Sequence, residues 1–271
     1  MKYDFKDLAF IIHFRVDVPE RLRNLQIVLD YYYDKCKNLE FIIVNDDEQP
    51  EDILKEIHKK YENIKILFYK NKSYHNKSLS FNSAFKQTDR KVIIAHDTDV
   101  IIDPEHILNG ADKILKENVD HVYPYNGLFI WVKENLVTEF KNNLDIKTFV
   151  DKIPTKENIV NLYQNDYITV ASTESCGGCA MYSSKIFKKI NGYNPNFIGW
   201  GYEDDEINER VKKFKGKTER VSNDNAIAWH MPHPKSIRED NPHCKRNDDI
   251  CTYVRNLNYE ELKNYIRGWE I

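Results

Sequence analysis

Over the first hundred residues, apolar positions fall into short unbroken runs separated by stretches where they recur every three or four places. Leu8-Ala9-Phe10-Ile11-Ile12 is such a run, of strand length and apolar throughout, as a strand buried on both faces requires. After it Leu22, Leu25, Val28, Leu29 and Tyr32 follow at helical spacing. Asp17-Val18-Pro19-Glu20 supplies the start signal for that helix: a capping acid, an early proline and an acid three places on. The alternation continues with a strand at Phe41-Ile42-Ile43-Val44, a helix from Pro50 to Tyr61 and a strand at Ile64-Lys65-Ile66-Leu67-Phe68. A helix over Ser78 to Lys86 then leads into Val92-Ile93-Ile94-Ala95. This pattern predicts an α/β fold of βαβ units around a mostly parallel central sheet flanked by helices, with ligands gathered at the carboxyl ends of the strands.

Those carboxyl ends are polar. The first strand runs into His13, Phe14, Arg15 and Asp17, the second into Asn45-Asp46-Asp47, the fourth into His96-Asp97-Thr98-Asp99. In an extended segment side chains at i and i+2 point the same way, so Asp97 and Asp99 can address one ligand and its cation. A nucleotide diphosphate needs that arrangement, because a hard cation held by carboxylates and phosphate oxygens neutralises its charge. Aspartates are also common in plain loops; the buried strand directly before this pair is what lifts it above that background.

The second half is less regular. Tyr123-Pro124-Tyr125-Asn126-Gly127 reads as a turn, Leu128-Phe129-Ile130-Trp131-Val132 as a short strand, and the polar tract from Glu134 to Asn165 as short helices and mobile loop. The greatest concentration of acid in the chain is Gly199-Trp200-Gly201-Tyr202-Glu203-Asp204-Asp205-Glu206. Ile207, Val211 and Phe214 recur behind it at helical spacing, which places the acids on the first turn of a helix. Acids there often serve only to complement the helix dipole. Here they follow two glycines that permit close backbone approach and a tryptophan whose flat face suits a sugar ring.

Composition narrows the field. With 40 basic and 43 acidic residues in 271, the formal charge is −3, and no overall basic field points to nucleic acid. Met1-Lys2-Tyr3-Asp4-Phe5-Lys6-Asp7 carries charges where a signal peptide has an apolar run, so a cytoplasmic location is expected. Five cysteines, an odd number, fit reduced thiols. Cys176-Gly177-Gly178-Cys179 has the Cys-x-x-Cys spacing of redox and zinc sites, but a second such pair is absent.

Three segments together carry a family resemblance: Gly177-Gly178-Cys179-Ala180-Met181-Tyr182-Ser183, then Phe187-Lys188-Lys189-Ile190-Asn191-Gly192-Tyr193, then Phe197-Ile198-Gly199-Trp200-Gly201-Tyr202-Glu203-Asp204-Asp205-Glu206. Their order and spacing resemble the beta-1,4-galactosyltransferase family and its bacterial relatives, and the first hundred residues resemble the nucleotide-binding half of inverting GT-A glycosyltransferases. The resemblance implies one GT-A domain, with a nucleotide-binding half at 1–103, an acceptor and catalytic half at 104–235, and a C-terminal helical extension at 236–271. On the donor side it implies Phe14 and Arg15 for the nucleotide, Asp46 for the base, Lys77 where the family has an arginine, Asp97, Gly178 and the sugar-facing Trp200. Asp204 matches the catalytic base, with Trp200, Tyr202, Glu203 and Asp205 on the acceptor side. Tyr202 stands where the animal enzymes have a second glycine. Asp99 matches a metal ligand, and Trp229-His230-Met231-Pro232-His233 resembles the segment whose methionine and histidine complete the site. Here both ends of that spacing are histidines, His230 and His233.

The implied activity is transfer of a hexose, galactose or N-acetylgalactosamine, from a UDP-sugar to a saccharide or lipid-linked saccharide, with Mn2+ or Mg2+ as cofactor and inversion at the anomeric carbon. The implied setting is surface polysaccharide synthesis in a bacterial cytoplasm, a role compatible with peripheral contact at the inner face of the membrane and with homodimerisation. Two readings of another class stand beside it: a non-catalytic sugar- or nucleotide-binding module, which has no use for Asp204, and a nucleotide-sugar hydrolase that admits water in place of an acceptor.

Overall fold

The computed structural model describes residues 2–153, 164–234 and 241–269. The first half contains β1 (Tyr3–Asp4), β2 (Leu8–Phe14), α1 (Pro19–Lys35), β3 (Cys36–Lys37), β4 (Phe41–Asp47), α2 (Ile53–Lys60), β5 (Ile64–Lys70) and α3 (Lys77–Phe85). Next come β6 (Val92–His96), β7 (Val100–Ile101), α4 (Pro104–Lys116), β8 (His121–Tyr123), β9 (Phe129–Val132), α5 (Glu134–Asn143) and α6 (Lys147–Val150). The remainder is β10 (Ile168–Ser172), β11 (Cys179–Ser183), α7 (Ser184–Lys189), α8 (Glu203–Lys213), β12 (Thr218–Arg220), β13 (Ala228–His230), α9 (Cys244–Asn256) and α10 (Tyr259–Ile266).

Among the described residues the strands form a seven-stranded sheet in the order β12-β8-β11-β6-β2-β4-β5, a four-stranded sheet β10-β9-β13-β7 and the small pair β1-β3. The apolar runs become the middle of the large sheet, where β6, β2, β4 and β5 are parallel neighbours. Ala9 to Ile12 and Phe41 to Val44 are essentially without exposed surface, which is why no polar residue interrupts either run. β11 enters antiparallel between β6 and β8, so the sheet is mixed but mostly parallel. Hydrophobic packing is continuous from Phe5 to Ile266.

One local expectation changes. Asp17 does not cap α1: the N-cap is Val18, with no side-chain cap bond, while the Asp17 carboxylate forms an ion pair with Arg21, Oδ1 3.0 Å from Nε one turn on. A charged partner within reach outcompetes a backbone amide for that carboxylate. In the tract read as short helices and mobile loop, α5 and α6 are the short helices and pack Phe140 and Phe149 into the core, while residues 154–163 of it lie outside the described residues. Among the described residues no helix is long and apolar enough to cross a membrane.

Candidate active site

β7 continues the chain just past Asp97-Thr98-Asp99 and pairs antiparallel with β13, setting Val100 opposite His230 and Ile101 opposite Trp229. The Met231 N–H donates to the Asp99 carbonyl at 2.7 Å and fixes that register. His230 therefore lies beside Asp99, with Nε2 3.6 Å from Oδ1. The chain then turns at Pro232, whose carbonyl accepts Arg23 Nη2 at 3.0 Å and Asn24 Nδ2 at 3.2 Å, and His233 Nε2 comes to 3.4 Å from Asp99 Oδ2. His233 Nδ1 lies 3.0 Å from the Pro234 carbonyl, which only accepts, so Nδ1 carries a proton and Nε2 is the atom turned to Asp99.

Burial lowers the His230 pKa even though Asp99 pulls it up, so its imidazole is held neutral, as ligation requires. The three ligand atoms lie within 4.8 Å of one another, compact enough for bonds of ~2.1 Å to one ion after small adjustments. One carboxylate with two imidazole nitrogens fits a divalent cation of intermediate hardness, and Asp99, His230 and His233 form a candidate metal site.

A second cluster adjoins the first. Lys77, the first residue of α3, places Nζ 3.2 Å from Asp97 Oδ1, 3.4 Å from Asp204 Oδ2 and 3.7 Å from Glu203 Oε1. Burial works against its charge, but the three carboxylates overcome that and hold its pKa well above the usual lysine value. Asp204 responds the other way. Burial, opposed by Lys77 but reinforced by Glu203 and Asp97, pushes it up to about 7. Its side chain keeps 20% of its surface exposed, so it is reachable from outside. Gly177 leaves room beside it, since a Cβ there would stand 3.3 Å from Asp204 Oδ2.

The acids owe their placement to the loop ahead of α8. Asn241 Nδ2 donates to the carbonyls of Ile198 at 2.7 Å and Trp200 at 2.9 Å, and its amide fills the space where a Cβ on Gly199 would lie. Gly199, Gly201 and Tyr202 all have positive φ, of 69°, 115° and 70°, which turns the chain sharply into the helix and leaves Trp200 63% exposed beside it. The Gly201 N–H donates to Glu203 Oε2 at 2.9 Å. Asp205 points away from Lys77 and accepts the Cys176 thiol at 3.6 Å. Cys176 and Cys179 are free thiols, and Cys179 is buried opposite His96 in the sheet.

Other expected site residues are placed differently. Gly178, at φ 81°, brings its carbonyl to the Asp97 N–H at 2.9 Å, and a Cβ there would meet Phe129 at 2.6 Å. Its role here is to let β11 close on the Asp97 segment. Arg15 donates to the Ser73 carbonyl at 2.8 Å and lies 3.8 Å from Asp47. Phe14 and Asp46 have no exposed surface; Asp46 Oδ2 accepts the Asn76 N–H at 2.7 Å and lies 3.0 Å from His13 Nε2. Three site residues were assigned no role from the sequence. Arg21 reaches Asp99 Oδ2 at 3.5 Å, Tyr193 Oη donates to Asp204 Oδ1 at 3.5 Å, and Asn241 clamps the loop. Arg21 left a signal, four places after Asp17 at the start of a helix that follows a polar strand end, and Tyr193 ends one of the three segments that carry the resemblance; Asn241 left none.

A helix-flanked, mostly parallel sheet of this order has the GT-A fold. Residues 20–191, more than half of the chain, match the model of glycosyl transferase family 2, and the chain belongs to that family. Residues 160–234 match a model described as the N-terminal domain of galactosyltransferase. Beta-1,4-galactosyltransferase 4 of Mus musculus is 32% identical over 97 residues, 31% of this chain and 28% of that protein. Xylosylprotein 4-beta-galactosyltransferase of Caenorhabditis elegans is 38% identical over 76 residues, 27% and 26% of the two chains. The matches thus span under a third of these relatives' length. Among solved structures, S. aureus TarS in complex with UDP-GlcNAc superposes with a TM-score of 0.61 at 14% identity, covering 98% of this chain and 70% of that one. The mannosyltransferase PcManGT from Pyrobaculum calidifontis, in complex with GDP-Man and Mn2+, gives 0.54 at 10% identity, covering 97% and 70%.

Proposed function

We propose that the protein is a metal-dependent, inverting glycosyltransferase that moves galactose or N-acetylgalactosamine from a UDP-sugar to a saccharide or lipid-linked saccharide. The observation that carries this reading is the adjacency of two clusters, a candidate ligand triad and a half-buried aspartate raised to about 7, joined through the short Asp97-Thr98-Asp99 segment. A catalytic base operates best when its pKa lies near the working pH, and Asp204 meets that condition. On this reading an Asp204 oxygen takes the proton of the acceptor hydroxyl as that hydroxyl's oxygen attacks the anomeric carbon. The bond from that carbon to the β-phosphate oxygen breaks on the opposite face, UDP departs with the electron pair, and configuration inverts. Lys77 supplies positive charge beside the base, and Trp200 offers its exposed face to a sugar ring. A divalent cation held by Asp99, His230 and His233 would offset the charge on the departing diphosphate. The galactosyltransferase relatives support the choice of sugar, and TarS in complex with UDP-GlcNAc supports the nucleotide. The family resemblance extends the reading to surface polysaccharide assembly at the inner face of a bacterial membrane.

Calorimetric titration of UDP with and without Mn2+, followed by turnover of a panel of UDP-sugars, tests the proposal. UDP is expected to bind tightly only with metal present, and Asp99→Ala to abolish turnover while the protein stays folded. Undiminished turnover in chelator, with no metal bound, would overturn the metal-dependent reading.

A further inference from the structure

Against Asp204, inside the fold, two tyrosine hydroxyls stand in line. Tyr193 Oη donates to Asp204 Oδ1 at 3.5 Å, and Tyr182 Oη lies 3.2 Å from Tyr193 Oη. Neither tyrosine has more than 1% of its surface exposed, so bulk water does not compete for these hydroxyls. Tyr193 is held without help from its own hydroxyl. Its N–H donates to Asn82 Oδ1 at 2.8 Å, its carbonyl accepts Asn82 Nδ2 at 2.7 Å, and its ring packs 5.0 Å from Phe81 and 6.0 Å from Phe187. Phe81 and Asn82 belong to α3, the helix whose first residue, Lys77, reaches Asp204 Oδ2. One helix thereby brings a donor to each oxygen of the carboxylate, the ammonium directly and the phenol through its bracketed backbone.

The direction of the two hydroxyls follows from what each can reach. Tyr193 has two oxygens near its own, and an ionised carboxylate can only accept, so the Tyr193 hydrogen goes to Asp204 and its lone pairs are left to the hydrogen of Tyr182. Hydroxyls ordered in this way polarise one another, and the last of them donates more strongly than a lone phenol. Burial, with Glu203 on α8 and Asp97 between β6 and β7, pushes the Asp204 carboxyl up to about 7 against the pull of Lys77. A hydroxyl donating to the charged form pulls the same way as Lys77. Cys176, ahead of β11, and Tyr123, on β8, also lie within electrostatic reach of Asp204, and burial keeps both protonated. Both oxygen–oxygen separations are long for O–H···O bonds, so the pair shifts the balance by a few-fold rather than by orders of magnitude.

We infer that Tyr193 is a positioning residue for the base: its hydroxyl, backed by that of Tyr182, anchors Asp204 Oδ1 and keeps the carboxylate ionised at a lower pH than its acidic neighbours alone would allow. The inference rests on the reading of Asp204 as the base, while the contact itself is open to test without that reading.

The carbon-13 signal of the Asp204 carboxyl, identified by its absence in Asp204→Asn, reports ionisation directly in metal-free buffer without substrate. Tyr193→Phe keeps the ring and the Asn82 bracket, and it is expected to raise the Asp204 midpoint by about 0.5–1 pH unit, a three- to tenfold gain in proton affinity. Tyr182→Phe should raise the midpoint by less, and the double substitution should match Tyr193→Phe, because Tyr182 acts only through Tyr193. A purely structural role would lower the melting temperature and leave the midpoint in place. An unchanged midpoint in Tyr193→Phe overturns the inference, and additive shifts in the double variant overturn the backing role of Tyr182. The rise of kcat/KM with pH, measured with a UDP-sugar, should move up by the same interval in Tyr193→Phe. If the carboxyl midpoint moves and the rate profile does not, the anchor stands and Asp204 is not the base.

Discussion

Asp204 is a carboxylate that the folded chain holds near neutrality, and that state has consequences for stability as well as chemistry. The unfolded chain loses this proton near the ordinary value of 3.8, and the folded chain keeps it until about 7. Between those values the native state binds the extra proton, so stability falls as pH rises through the window and stays lower above it. Asp204→Asn removes that penalty. In metal-free buffer the variant is expected to melt above the wild type at pH 8 and to converge with it near pH 4; equal melting temperatures at pH 8 would mean that Asp204 ionises freely. The same substitution should lower transfer by roughly 10²–10⁴-fold and leave UDP affinity nearly unchanged, and wild-type kcat/KM should rise toward a plateau above pH ~7. A normal rate with only a raised acceptor KM would make Asp204 a binding group. At this scale the sequence was informative about which residues lie together: Lys77, Glu203 and Asp204 form one group, and Asp99 and both histidines form another, as the family resemblance implied they would be neighbours. Periodicity carries no information on how completely a side chain is covered, and so it left open that Phe14 and Asp46 lie beneath the surface.

Helix α8 carries the acids, and one buried ion pair anchors it. Glu206 and Arg210, a turn apart, are both without exposed surface, and Arg210 Nη1 also donates to the Ile190 and Gly192 carbonyls, each at 2.6 Å. Asn194 Nδ2 adds a bond to Glu206 Oε1 at 3.0 Å, which ties the helix to the turn after α7. Removing one partner of such a pair strands a buried charge at a cost of about 3–5 kcal/mol. Arg210→Met is expected to lose that much in denaturant unfolding and Arg210→Met with Glu206→Leu distinctly less; equal losses would mean the carbonyl bonds matter more than the charge pair. At the head of the helix Tyr202 occupies the left-handed region, which costs a side-chain-bearing residue about 1–2 kcal/mol. Tyr202→Gly should therefore be more stable than Tyr202→Ala by about 0.5–1 kcal/mol, after glycine's own entropy is discounted. Equal stability would show the turn to be unstrained. Helices and central strands lay within two or three residues of the positions read from periodicity, because both signals arise from burial on a regular face. Caps did not follow, as Asp17 shows, because several partners compete for one side chain.

Across the whole molecule the decisive contacts join segments far apart in sequence. Asp99 and His230 meet only because β7 and β13 pair in the small sheet, and β11 closes on Asp97 only because Gly178 lacks a side chain. None of these pairings was legible in the sequence, since strands of two to five residues give no periodicity to read and say nothing of their neighbours. The family resemblance implied the ligand set without the geometry that assembles it. If the set holds a cation, metal binding couples to global stability, because the unfolded chain has no triad to offer. A ligand that binds only the native state stabilises it by RT ln(1 + [L]/Kd), about 2.7 kcal/mol at a hundredfold excess over Kd. Mn2+ should therefore raise the unfolding temperature of the wild type in a concentration-dependent way. His230→Ala and His233→Ala should each shift that dependence to tenfold or higher metal concentration, and Asp99→Ala should abolish it. His233 is the more discriminating position, since the Pro234 carbonyl fixes its tautomer whether or not a cation is present. If His233→Ala follows the wild-type curve, the cation is held without that imidazole, and the site reduces to Asp99 and His230 with the remaining positions left to phosphate and water.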